Sequence, residues 1–196
     1  MTKHKILFSL LFLGSFFATN AQVDVTLNPV NLIFSGRGDL SAEFGATEDI
    51  GVEAIASYLT PGNVILKAIG YEEGQGFGVA LLGKYYFKPS ENGLDKFNMG
   101  LYTNYKAVNY TAKEDSNLPD GERRAFSGGV YFGYKSVSKK NIVFDIGFGL
   151  GRYFKNDYQD TNGEGLDISS IPYINFDWFG KLGVGYRFNT GNSNRR

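Results

Sequence analysis

The sequence predicts an all-β fold: a transmembrane antiparallel up-and-down β-barrel of eight strands, made after a signal peptide is cleaved. Three observations predict it. The chain contains ribbons with one oily and one polar face, its connections alternate between short and long, and its composition is rich in glycine and aromatic residues. The clearest ribbon runs from Tyr173 to Phe188. Ile174, Phe176, Trp178, Leu182, Val184, Tyr186 and Phe188 share one parity, while Tyr173, Asn175, Asp177, Lys181, Gly183, Gly185 and Arg187 hold most of the other. Successive side chains of a strand point to opposite faces, so this segment separates an apolar medium from a polar one. A barrel wall between lipid and a polar interior needs that division.

The N-terminus carries an export signal. Lys3 and Lys5 precede an apolar run from Ile6 to Ala18, and Ala18-Thr19-Asn20-Ala21 follows. The run is too short to span a bilayer as a helix. A basic start, a short apolar middle and a small-residue exit place cleavage after Ala21. The expected organisation is a signal peptide over 1–21, a barrel over 22–188 and a polar tail over 189–196.

Composition excludes several functions. There is no cysteine, and the only histidine is His4, inside the signal. Disulfides, thiol nucleophiles, most transition-metal sites and most general-base catalysis fall away with them. Removing Lys3 and Lys5 from 20 bases leaves 18 against 20 acids, so nothing suggests a nucleic-acid partner. The 26 glycines among 196 residues are well above the usual share of about 7%. No catalytic, cofactor-binding or metal site is expected.

Parity and turn residues mark eight strands. The first covers about 23–34, with Val25 and Leu27 on one face and a parity shift near Pro29 that suggests a bulge or an edge. The second, about 40–46, sets Leu40, Ala42 and Phe44 against Ser41, Glu43 and Gly45. The third, about 50–59, sets Ile50, Val52, Ala54 and Tyr58 against Gly51, Glu53 and Ser57. The fourth, about 76–87, turns Phe77, Val79, Leu81, Tyr85 and Phe87 outward and Lys84 inward. The fifth, about 97–110, opposes Phe97, Met99, Leu101 and Tyr105 to Asn98, Asn104 and Lys106. The sixth, about 124–135, opposes Phe126, Val130, Phe132 and Tyr134 to Ser127 and Lys135. The seventh, about 141–153, opposes Ile142, Phe144, Ile146, Phe148 and Leu150 to Asp145 and a run of glycines. The eighth is the ribbon that ends at Phe188.

The connections at 47–49, 89–95 and 137–140 are short, and those at 60–75, 111–123 and 154–172 are long, while the first outer connection, 35–39, is short. Transmembrane barrels sort their loops this way, with short turns on the periplasmic side. Tyr85, Phe87, Phe97, Tyr134, Tyr186 and Phe188 then fall at the periplasmic ends. Phe34, Tyr58, Phe77, Phe126 and Trp178 fall nearer the outer ends, as two interfacial girdles.

The inward parity holds Glu43, Glu53, Asp145 and Asp177 against Lys84, Lys106, Lys135 and Lys181. An eight-stranded barrel leaves only side-chain room inside. Charges in that space must pair, which predicts a plugged polar network rather than an open pore. Arg37-Gly38-Asp39 is an adhesion-type tripeptide on an expected outer loop, where a tight hairpin explains it better. Asp157, Asp160, Asn162, Gly163, Glu164 and Asp167 make an acidic outer loop that lacks the spacing of an EF-hand and reads as solvated.

Two resemblances attach to these residues. Lys181, Gly183, Tyr186 and Phe188 fit polar-x-Gly-x-x-aromatic-x-aromatic, which resembles the C-terminal signal read by the barrel-assembly machinery, although eight residues follow Phe188. Thr26-Leu27-Asn28-Pro29-Val30-Asn31-Leu32, Asp39 to Phe44 and Ile50 to Glu53 resemble the start of small outer-membrane barrels common in Bacteroidota. That resemblance implies outer-membrane lipid and the assembly machinery as partners, and it carries no catalytic residue across. The barrel acyltransferases and deacylases of lipid A resemble the chain in scale, but they use a histidine that its mature part lacks. The expected role is non-enzymatic: envelope support, or loop-mediated binding of an extracellular ligand that the sequence does not identify. A small conduit, a barrel for a hydrophobic ligand, and a secreted lipocalin-like binder are the alternatives.

Overall fold

The structure, a computed structural model, describes residues 22–29, 31, 36–59, 71–112, 120–160 and 175–189. The expected signal at 1–21 and residues 190–196 of the expected tail lie outside them, as does Phe34. Eight antiparallel strands close into a barrel in chain order. They are β1 (Gln22–Leu27), β2 (Arg37–Gly45), β3 (Ile50–Leu59), β4 (Tyr71–Tyr86), β5 (Lys96–Ala112), β6 (Gly121–Val137), β7 (Ile142–Asp160) and β8 (Phe176–Asn189). β8 closes the barrel on β1 from Gln22↔Asn189 to Leu27↔Val184.

Strand pairing sets the barrel's dimensions. The row leaving β1 at Val23 passes Phe44, Val52, Gly83, Leu101, Val130 and Leu150 and arrives on β8 at Trp178. Val23 itself pairs with Phe188, ten residues further along β8. Ten residues of offset at about 3.3 Å each, set against eight inter-strand spacings of about 4.8 Å, tilt the strands by about 40° and give a backbone radius of about 8 Å.

The two parities separate as a lipid-facing barrel requires. Leu101, Phe144, Ile146, Phe148 and Trp178 stand exposed outside, while Glu53, Lys84, Lys135 and Asp145 are buried in the lumen. A lipocalin-type barrel needs the reverse. On β5 the outward apolar residues run from Phe97 to Tyr105, a rise of about 20 Å at this tilt, close to the apolar band of about 25 Å of outer-membrane barrels. Tyr85, Phe87, Phe97, Tyr134, Tyr186 and Phe188 are all exposed at the short-turn end. The Tyr85–Phe87, Phe87–Phe97 and Tyr186–Phe188 ring centroids lie 5.1, 5.5 and 5.1 Å apart.

Several boundaries differ from the sequence expectation. β1 stops at Leu27 rather than continuing to 34. Asn28 Oδ1 accepts the Asn31 N–H at 3.2 Å, and Pro29 and Asn31 are helical. Asn28 and Pro29 are therefore an N-cap and first-position pair that ends the strand, and closure leaves β1 no edge. β4, β5, β6 and β7 extend further toward the long-connection end than expected, absorbing 71–75, 111–112, 121–123 and 154–160. At the bulge, Phe126 pairs with Lys155 and Ser127 with Tyr153, so Phe154 is the extra residue and the parity of β7 slips there. β8 begins at Phe176, after a turn at Asn175; residues 173 and 174 lie outside the described part.

Candidate functional site

The lumen is the candidate site, and barrel geometry builds it in tiers. Near the short-turn end, β1, β2 and β3 present Asp24, Glu43 and Glu53 on one register row. Like charges on adjacent strands repel. β4, β6 and β8 bring Lys84, Lys135, Lys181 and Arg187 to them, Arg187 in register beside Asp24, and β7 adds Asp145. Lys84 Nζ lies 2.8 Å from Glu43 and 3.2 Å from Asp145, and it also contacts Glu53. Lys135 bridges Asp24 at 2.8 Å and Glu43 at 2.7 Å. Lys181 bridges Glu53 and Asp145, each at 2.5 Å. The four acids and four bases of this tier balance, as burial at these depths demands. Tyr86 adds a hydroxyl hydrogen bond to Glu43 at 2.5 Å.

Carboxylate oxygens of Glu43, Glu53 and Asp145 lie within 4.8 Å of one another, a spacing that could hold a metal ion. The Lys84 ammonium contacts all three groups, so the cluster is served by a tethered cation of its own.

The connection between β4 and β5 forms the floor. Leu94 is buried over the lumen, and its N–H donates to Gln22 Oε1 at 3.1 Å. Arg187 holds Asp24 through two bonds, from Nε at 2.7 Å and Nη2 at 2.8 Å, and donates to the carbonyls of Asn92 and Leu94. One guanidinium thereby ties the last strand, the first strand and the floor together. Its planar fork suits that task better than an ammonium would.

Above the charged tier, Ile55, Leu82, Tyr102, Tyr131 and Phe179 form an apolar layer. The Phe179 ring stacks on Tyr131 at 5.8 Å and meets Tyr102 edge-on at 4.9 Å. Small residues make the room: a side chain at Gly147 would collide with the Tyr131 hydroxyl, and one at Gly149 with the Phe179 ring. Asp177 sits higher still. It accepts from Ser127 Oγ at 2.6 Å, Tyr153 at 2.7 Å, Lys106 at 2.9 Å and Tyr102 at 3.1 Å.

The structure brings Glu43, Glu53, Lys84, Lys135, Asp145 and Lys181 into one cluster and Lys106 and Asp177 into another. Sequence reading missed Asp24, Arg187 and the four lumen tyrosines at 86, 102, 131 and 153. Arg187 lay on the polar parity of the last ribbon, and Asp24 alternates with Val23 and Val25; that alternation was the available signal. Within the expected assembly signal, Lys181 and Gly183 face the lumen, while Tyr186 and Phe188 face outward.

Two outer-loop expectations are corrected. Arg37-Gly38-Asp39 is neither an adhesion loop nor a hairpin turn but the start of β2, paired with Leu59, Tyr58 and Ser57. Asp39 is buried, gripped by Arg37 at 2.8 and 2.9 Å and by Asn31 at 2.6 Å. Asp157 and Asp160 belong to β7 and pair with Arg124 and Gly121 in register. Asn162, Gly163, Glu164 and Asp167 lie outside the described residues.

No family model matches this sequence, and no curated protein does. Among solved structures, the barrel is similar to a major outer membrane protein from Thermus thermophilus, with a TM-score of 0.48, 18% identity and coverage of 86% of this chain and 98% of that one. It is also similar to Neisserial surface protein A, with a TM-score of 0.47, 13% identity and coverage of 87% and 94%.

Proposed function

We propose that this chain is a non-enzymatic integral outer-membrane barrel of the small Bacteroidota type, with a plugged lumen and a role in envelope structure or loop-mediated binding. The observation that carries the reading is the inversion of polarity: apolar side chains outside on every strand, paired charges within. In water such a surface would drive aggregation, whereas in lipid it is the ground state. The leader at 1–21 supports export. The short turns then face the periplasm, and β4–β7 stand beyond the outer leaflet. β7 is 19 residues long, about 45–50 Å in height at this tilt, roughly twice the apolar band.

Lipid is the first partner. The assembly machinery is the second, recruited by Lys181, Gly183, Tyr186 and Phe188 on the closing strand, which can add to a partner's sheet edge before β1 takes its place. The apolar layer and the charged tier argue against conduction. The test is fractionation with a heat-modifiability gel, joined to planar-bilayer recording. The reading expects outer-membrane recovery, a mobility shift on boiling and no steady conductance. Steady unit steps from the purified protein would favour the conduit instead, and recovery in the soluble fraction would end the membrane reading.

A further inference from the structure

Among the described residues, the lumen is plugged at its short-turn end. Above Phe179 and Ile55 a cavity of ≈ 210 Å³ opens toward the long-connection end. Its walls include Ile55, Ala80 and Phe179, and Arg37, Lys106 and Arg123 also line it.

The charges here do not balance as those below do. Asp39 answers Arg37 and Asp177 answers Lys106, while Arg123 is held by neutral groups. Its Nε donates to Asn156 at 2.9 Å, and its guanidinium lies 4.8 and 5.0 Å from the Tyr153 and Tyr158 ring centroids. Lys181, at the cup's floor, is answered by Glu53 and Asp145, so among the described residues that line the cup Arg123 is the cation held by no carboxylate. Donors remain as well: Arg37 spends Nε and Nη2 on Asp39, and Lys106 spends two of its three protons on Tyr153 and Asp177. A low-dielectric cup with one surplus positive charge favours an anion, and its apolar floor favours an anion with a compact hydrocarbon body.

We infer that the upper lumen is a binding cup for a small amphipathic monocarboxylate of about seven to ten non-hydrogen atoms, seated on Ile55 and Phe179 with its carboxylate toward Arg37, Lys106 and Arg123. The cup is a property of the lumen, so it goes beyond the plugged-wall reading and does not depend on it.

The test uses the full chain in lipid nanodiscs, with empty nanodiscs as the blank, and saturation-transfer NMR of three probes of one shape: 4-methylbenzoate, 4-methylbenzamide and 4-methylbenzylammonium. The carboxylate should bind saturably, with a Kd on the order of 0.1–1 mM for so small a ligand. The amide should bind about 10-fold more weakly, and the ammonium not at all. Ala80→Phe should abolish binding by filling the cup. Arg123→Gln should weaken the carboxylate about 10-fold and leave the amide unchanged. A gel shift on boiling confirms closure of each variant, and if Ala80→Phe does not close, Arg123→Gln decides. The inference is overturned if the carboxylate signal does not exceed the blank, if the three probes bind alike, or if Arg123→Gln binds as the parent does.

Discussion

Replacing Lys84 by Met tests the charged tier where it is most connected. The ammonium contacts Glu43, Glu53 and Asp145, and its side chain is fully buried. Methionine keeps the length and removes the charge, leaving four buried acids against three bases. Breaking a buried pair by removing one partner costs about 3–5 kcal/mol, because the remaining charge is left uncompensated. The structure also says how to restore the balance. Without Lys84, Glu43 keeps Lys135, Asp24 keeps Arg187, and Glu53 and Asp145 must share Lys181. Adding Asp145→Asn leaves three acids and three bases, each acid with its own partner. The double variant should recover at least about 2 kcal/mol of the loss, a coupling expected only of residues in one network. Urea unfolding in lipid vesicles measures this through the single tryptophan, Trp178, which stands 73% exposed on the outer wall. A Lys84→Met loss under about 1 kcal/mol, or a double variant no more stable than the single one, would refute the network.

Other outcomes follow from single contacts. Arg187→Gln should unlatch the floor and lower stability by about 3–5 kcal/mol, read from the urea midpoint, because the side chain no longer forks onto Asp24 while holding Asn92 and Leu94. Gly147→Ala should destabilise the barrel by about 1–3 kcal/mol, since its Cβ meets the Tyr131 hydroxyl and the Phe132 carbonyl, whereas Gly83→Ala, with open space around its Cβ, should be neutral within about 0.5 kcal/mol. Urea midpoints compare the two. Phe188→Ala should lower the yield of assembled barrel in cells while changing the refolded protein's midpoint little, which separates recognition from stability. Val184→Lys, on the outer wall, should cost about 2–4 kcal/mol in vesicles if it sits near the bilayer midplane.

The sequence was most legible where one face is buried and the other is not. Phe144 to Leu150 alternates without a break, so parity alone places β7's inward Asp145. Legibility failed past Tyr153. There the bulge at Phe154 reverses the parity, and Lys155, Asn156, Asp157 and Gln159 are polar on both faces, so the extension of β7 read as loop. Glu73, Gly74 and Gln75 hid the start of β4 for the same reason. The Asn28-Pro29 pair carries two signals, proline's disruption of a strand and the capping of a helical turn, and the cap decides the outcome. The partnership of Arg187 with the 89–95 turn had no sequence signal. It depends on a ten-residue stagger that only closure sets, and parity could say that Arg187 pointed inward but not what it would meet.

Hydrocarbon must touch the outward parity of the strands if the barrel spans a membrane. The chain has no cysteine, so single cysteines at Leu101, Phe144 and Val184 can carry spin labels in vesicles, and collision rates with oxygen and with a water-soluble nickel chelate report what surrounds each label. All three should be accessible to oxygen and shielded from nickel. Free access of nickel to labels at Phe144 and Val184 would contradict the membrane wall.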